Sequence, residues 1–205
     1  QGLVFGPNIT DVVAAGNDAE VDPSIVTFSD FPVVETLTYA TVRDGTATVD
    51  GVTANVRAYV DRASESGVAV YELPGNVVLT LATGTAMSGM PTGKFDYVGT
   101  HGAQDRQTGG FEVGTFDMSI DFNSGSFNYA GETASSSLTG DGAVDVENAR
   151  FASGDMISKV PSSGYESTAT MHGLLHGDDA EAVSAIFHTN EGVPRFDGAA
   201  AGSKE

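Results

Sequence analysis

The chain has 205 residues, with 28 acidic and 9 basic side chains, a net charge of -19 and no cysteine. That charge repels nucleic acid and anionic membrane surfaces, and the lack of Cys excludes disulfides, thiolate metal sites and a Cys nucleophile. Hydrophobic residues make up 40%, which supports a packed core, and no apolar run reaches the roughly 18 residues of a membrane-spanning helix.

The elements follow in chain order. Residues 8–16 read as a short helix, with Asn8 or Thr10 near its cap and Gly16 ending it. Pro23 and Pro32 then break any longer element. Residues 33–82 read as a β-meander of about five short strands. The first alternates around Leu37, Tyr39 and Thr41. Asp44-Gly45 and Asp50-Gly51 are turn signals. Between residues 52 and 61, Val52, Ala54, Val56, Ala58 and Val60 share one face. Two further apolar runs, 68–73 and 77–81, flank Pro74-Gly75. The small, breaker-rich stretch 83–93 is the expected domain boundary.

From residue 94 a second series of strands begins. In 111–122, Phe116, Met118, Ile120 and Phe122 take one face, while Phe111, Val113 and Thr115 take the other. Turns are expected at 123–125 and 140–142, with strands at 126–131 and 143–151. Residues 168–176 and 182–189 form a tight hairpin, and 195–203 is the last strand. Antiparallel strands with one apolar face close into a barrel, which removes exposed edges. The fold class expected is therefore all-β. A C-terminal eight-stranded antiparallel up-and-down barrel (93–205) follows a smaller N-terminal β-meander preceded by an irregular segment (1–92). Phe111, Phe116, Phe122, Phe127, Phe151, Phe187 and Phe196 are the candidates to fill the barrel.

The hairpin carries a resemblance. Gly173, Gly177, Ala180, Glu181, Val183 and Phe187 match the Gly-x-Phe-Tyr-Gly-Pro-Asn-Ala-Glu-Glu-Val-Ala-Gly-x-Phe pattern of the transferrin-binding-protein-B type of barrel domain. Leu174, Leu175, His176, Asp178 and Asp179 depart from it. Residues 93–99 resemble the opening strand of that family, 116–127 its apolar strand and tight turn, and 196–204 its terminal strand. The resemblance covers about residues 93–205; residues 1–92 carry none. It implies an exported, often lipid-anchored, surface protein of Gram-negative bacteria whose relatives capture iron carriers, haem or other host molecules. Fold alone does not give a ligand.

The function expected is non-enzymatic binding outside the cytoplasm, in a secreted or outer-membrane-surface protein. The partner is a protein or a small molecule, and nutrient capture from an iron or haem source is one form of it. The alternative is a structural or adhesive surface protein without a small ligand. No nucleophile elbow, phosphate loop or zinc-protease helix is present. No secretory signal is legible, and a chain starting at Gln1 fits a mature form. Membrane attachment would then come only through a lipid anchor upstream.

Recognition is expected from loops 100–110, 133–142, 159–164 and 177–180, and from the groove between domains. The first loop, with His101, Asp105, Arg106 and Gln107, is the most polar. Met87, Met90, Tyr97 and His101 offer haem-ligand chemistry at the interdomain crevice, against the alternative that Met fills gaps there. No cofactor is otherwise implied. His172 and His176, four apart on a strand, lie about 13 Å apart and cannot share one metal ion. His188 is expected to face the other way, and no metal site is assigned.

Overall fold

In the computed structural model, residues 2–3, 11–15, 28–49, 51–64, 66–74, 77–85, 87–105, 108, 110–190 and 196–205 are described. Among them the chain forms two β-sheets and one short 3-10 turn, Phe28–Asp30.

The first sheet holds β1 (Gly2–Leu3), β2 (Asp11–Ala15), β3 (Val33–Thr36), β4 (Ala40–Val49), β5 (Val52–Asp61), β6 (Gly67–Leu73) and β7 (Val77–Gly84). Its order is β1-β2-β7-β6-β5-β4-β3. Two expectations fail here. Residues 11–15 of the expected helix are β2, which pairs along β7; the rest of that helix lies outside the described residues. Pairing to a waiting sheet edge overrides the weak helical pattern. The second failure is Asp44-Gly45, which is not a turn. β4 runs through it because Gly51, at φ 78°, closes the β4–β5 hairpin. That register sets Asp44 opposite Arg57 and Gly45 opposite Val56. Gly45 is needed for another reason: a Cβ there would fall 2.3 Å from the Phe31 ring.

The second sheet is a closed antiparallel barrel, as expected. Its strands are β8 (Lys94–Asp105), β9 (Phe111–Asp121), β10 (Ser126–Glu132), β11 (Ser137–Asp145), β12 (Arg150–Val160), β13 (Tyr165–His176), β14 (Ala182–Thr189) and β15 (Phe196–Lys204). The segment 140–142 is not a turn but lies inside β11. The turn comes at 146–149, where the Asp145 carboxylate accepts from the Asn148 backbone and side-chain amides. An Asp side chain that bonds nearby backbone amides mimics a backbone turn. The expected strand 143–151 is thus the end of one strand and the start of the next.

The barrel lumen is filled, and small residues make the room. Phe116, Phe127, Phe151 and Phe187 stand directly across from Gly99, Gly142, Gly173 and Gly198. A Cβ at each of these glycines would meet the facing ring at 1.9–2.7 Å. Each ring therefore lies flat over a bare stretch of the neighbouring strand, an aromatic–glycine pairing that also protects the backbone. Phe122 and Phe196 join this core. Phe111 does not. It faces outward and packs on Tyr59 of the first sheet, with ring centroids 5.7 Å apart.

One face of the first sheet docks on the outside of the barrel. Ala40, Val42, Tyr59, Val68, Val70 and Ala82 pack against Ile186, Ala199 and Ala201. β15 is consequently buried on both faces along Phe196–Ser203. Its run of Gly and Ala admits the sheet on one side and the rings on the other.

The β13–β14 hairpin holds the connection between the two sheets. Ser88 N donates to Gly177 O (3.1 Å), Asp179 N to Ser88 O (2.9 Å) and Gly177 N to Thr85 O (3.3 Å). The Ser88 hydroxyl also donates to the Asp178 carboxylate. Asp179 and Ala180 sit at φ 54° and 56°, a strained conformation for non-Gly residues. Tyr97 offsets it from inside the barrel by donating to Ala180 O at 2.7 Å. The motif that carries the sequence resemblance is a clamp on the connection between the two sheets.

Candidate binding surface

The antiparallel register sorts the connections between the two barrel ends. Residues 106–110, 133–136, 161–164 and 191–195 join strands at one end; turns 122–125, 146–149 and 177–181 lie at the other. Three of the four expected loops therefore share the first end, though shorter than expected at 106–110 and 133–136. The fourth, 177–180, is at the opposite end and is the clamp.

The loop-bearing end is stiffened from within. The Glu112 carboxylate accepts from Thr133 Oγ1 (2.9 Å), Ser135 N (3.1 Å) and Ser135 Oγ (2.7 Å). These bonds, the Ser135 hydroxyl first, hold its carboxyl below the usual range. The connection 133–136 is thus pinned to β9.

A crevice of about 460 Å³ opens beside this end, between the first sheet and the barrel. Tyr59, Val70 and Phe111 form its apolar part; Asp44, Asn55, Arg57 and Glu72 supply polar groups. Arg57 grips both carboxylate oxygens of Asp44 at 2.7 Å through Nε and Nη2. This fork holds the Asp44 carboxyl low. Burial, first among the causes, raises the Tyr59 phenol. The crevice is a fixed, charged rim around an apolar floor, which suits a partner side chain with both characters.

The predicted site residues do not converge. His101 lies in β8, not in a loop, and is 1% exposed. Its Nδ1 is hydrogen-bonded to Tyr129 Oη at 2.7 Å, and its ring stacks on Phe187 at 5.0 Å. Burial pushes its pKa down to about 3. Tyr97 is buried on the same barrel-facing side, with its hydroxyl committed to the clamp. Met87 is half-buried against the core and Met90 is 61% exposed. With the His101 ring covered and Tyr97 engaged, the expected haem-ligating cluster is not assembled. Asp105 ends β8, its amide donating to Gly110 O at 3.0 Å. Arg106 and Gln107 lie outside the described residues.

His188 faces the same way as His172, contrary to expectation. They sit diagonally on β13 and β14, since Thr170 opposes His188 and His172 opposes Ile186. Burial first, then His188, holds the His172 imidazole below its ordinary pKa. Among the described residues no group of three His, Asp or Glu is arranged to hold a metal ion. A second concavity, about 540 Å³ on the outer wall of β8–β11, is lined by Asp96, Asp117, Asp141 and Glu205 and has no Lys or Arg.

Sequence reasoning missed Asp44, Arg57, Tyr59 and Phe111 as a set. One signal was present. The hairpin closed at Gly51 brings Asp44 and Arg57 face to face, an opposite-charge pair at cross-strand positions.

No family model matches the chain, and no curated protein matches it in sequence. Solved structures do. Transferrin-binding protein B of serogroup B Neisseria meningitidis superposes with a TM-score of 0.58 at 11% identity, covering 83% of this chain and 36% of that one. A double mutant of transferrin-binding protein B from Haemophilus parasuis gives 0.57 at 13%, covering 80% and 37%. The haemoglobin receptor HpuA from Kingella denitrificans gives 0.57 at 12%, covering 89% and 72%. The chain spans little more than a third of these two transferrin-binding protein structures. Coverage of 80–89% of this chain exceeds what residues 93–205 alone supply, so the likeness reaches into the first sheet. At this identity the likeness is one of fold: the chain carries a barrel of the transferrin-binding-protein-B type with a docked β-sheet beside it.

Proposed function

We propose that this chain is a non-enzymatic binding protein exposed outside the cytoplasm. In this reading residues 1–92 and 93–205 are its two units, and it recognises a protein partner at the loop-bearing end of the barrel and in the adjoining crevice. The observation that carries the reading is the crevice itself: Arg57 locked on Asp44 beside Tyr59 and Phe111, where β9 begins at the loop-bearing end of the barrel. The solved structures of like fold support it, because their names describe proteins that bind transferrin or haemoglobin. The filled lumen favours surface recognition over carriage of a ligand inside the barrel. Capture of an iron source, with surface exposure on a Gram-negative cell, is the specific form we favour.

The test is binding of the purified chain to immobilised haemoglobin and to immobilised transferrin. Saturable binding to either supports the proposal. Binding to neither, with self-association in the ultracentrifuge, would replace it with the adhesive alternative.

A further inference from the structure

The junction between the first sheet and the barrel contains a buried imidazole that the binding surface does not use. His176, at the end of β13, is 3% exposed and points out of the barrel under the first sheet. Its ring rests on Gly84, the last residue of β7, where a Cβ would lie 2.5 Å from the imidazole. Both ring nitrogens are bonded. Nδ1 lies 2.9 Å from Thr85 O, and Nε2 lies 2.7 Å from Ser184 Oγ. A carbonyl only accepts, so Nδ1 carries the proton; in the neutral ring Nε2 then accepts from the Ser184 hydroxyl. The geometry selects one neutral tautomer. It also joins three elements at a point: the end of the first sheet, the connection 85–93 and the barrel hairpin.

We propose that His176 is a proton-sensitive latch, which holds the first sheet's connection against the barrel when neutral and releases it on acidification. Protonation at Nε2 would turn the Ser184 contact into one donor facing another. Ser184 is 1% exposed, so its hydroxyl can accept only by turning its own proton away from this bond, into the packed junction. A charge would also be buried, since the His176 side chain is almost wholly covered. Burial, first, lowers the pKa of His176 to about 4, and the bond to Thr85 partly offsets this.

Charged residues occur on the elements that meet at the junction. Arg150 on β12 is paired with Leu174. Asp11 on β2 is paired with Gly84. Asp178, Asp179 and Glu181 belong to the hairpin turn, where Asp178 takes the Ser88 hydroxyl and Lys204 Nζ donates to Asp179 O at 3.1 Å. The two nitrogens of His176 are taken by Thr85 O and Ser184 Oγ. The hairpin bonds to Ser88 and Thr85 are the part of the clamp that would open.

The sign follows from linkage. The released imidazole has an ordinary pKa near 6.5, while the latched one is depressed. The latch therefore contributes fully above pH 6.5 and weakens as pH falls toward 4. At pH 5 the ratio of open to latched molecules rises by about 30-fold relative to pH 7.5.

The experiment is amide hydrogen exchange on the whole chain at pH 7.5 and pH 5, corrected for intrinsic rates. The reporters are the Ser88, Gly177 and Asp179 amides, which close the clamp. They should lose about 30-fold in protection at pH 5, opening at a lower free energy than amides of the β8–β9 ladder, which report the barrel and its own acid response through His101. In His176→Asn the protection should not change with pH. Acid-insensitive clamp amides in the wild-type chain would overturn the proposal. So would clamp and ladder amides opening at the same free energy at pH 5, because the whole fold would then be opening. If the variant does not fold, titration of the His176 ring by NMR in the wild-type chain decides: a value near 6.5 refutes the latch, and one near 4 supports it. Neither readout involves the partner, so failure of the latch and failure of the binding proposal are separable.

Discussion

The two sheets are built from similar short, Gly-rich strands, yet they solve the problem of their edges in opposite ways. The barrel closes on itself, and four of its inner-face glycines are capped by a ring from the next strand. The first sheet stays open, and its edge strand β3 leaves Val33 and Val34 about half exposed. It gains order by laying one face on β14 and β15 and by being clamped at its last strand. Closed sheets carry their own stability, whereas an open one borrows it from what it docks on. The barrel is then the rigid base, and the first sheet and its crevice are the adjustable part.

The comparison predicts that damage to the lumen unfolds everything, while damage at the junction loosens one side. Phe187→Ala removes the ring that stacks on His101 and covers Gly198. It should cost about 3–5 kcal/mol in urea unfolding followed by circular dichroism. Gly84→Val pushes a side chain into the His176 ring. Its expected cost is about 1–3 kcal/mol, typical of overpacking. Clamp amides should lose protection while the β8–β9 ladder keeps it; equal loss in both would erase the distinction between the regions.

Acid sharpens the same contrast. His101 is neutral in the lumen and depressed to about 3 by burial. A depressed histidine contributes stability above its unfolded pKa near 6.5 and loses it as pH falls through the folded value. From pH 7 to pH 5 the barrel should lose about 2 kcal/mol from this group. His101→Gln should flatten that slope in barrel unfolding without altering the acid response of the clamp. The smallest effect belongs to the crevice rim. The Asp44–Arg57 pair is partly solvated, with side chains 38% and 54% exposed. A double-mutant cycle on stability should give about 0.2–1 kcal/mol, and a larger value would make the rim part of the core.

The barrel was legible because its signals are local. Alternation in 111–122 names the inner face of β9, and the 173–187 hairpin shows its tight turn directly. The errors arose where a residue's role depends on distant partners. Asp44-Gly45 and 140–142 look like turns, but Gly45 makes room for Phe31 and Gly142 for Phe127. His101 looks like a polar loop residue because nothing nearby announces Tyr129 and Phe187. The crevice was least visible. Arg57 and Phe111 are 54 positions apart and meet only because the first sheet docks on the barrel. Its rim pair could be inferred from the hairpin register, but its apolar floor could not.

The measurement that tests the account most directly compares opposite barrel ends in partner binding. Ser162→Arg alters the exposed turn 161–164 at the loop-bearing end, and Glu147→Arg alters an exposed turn at the other. With immobilised haemoglobin and transferrin as probes, the account predicts that Ser162→Arg and Phe111→Ala weaken binding at least tenfold, about 1.4 kcal/mol. Glu147→Arg should bind as the wild-type chain does. Binding lost through Glu147→Arg and kept through the other two would contradict it, and would move the partner to the clamp end of the barrel.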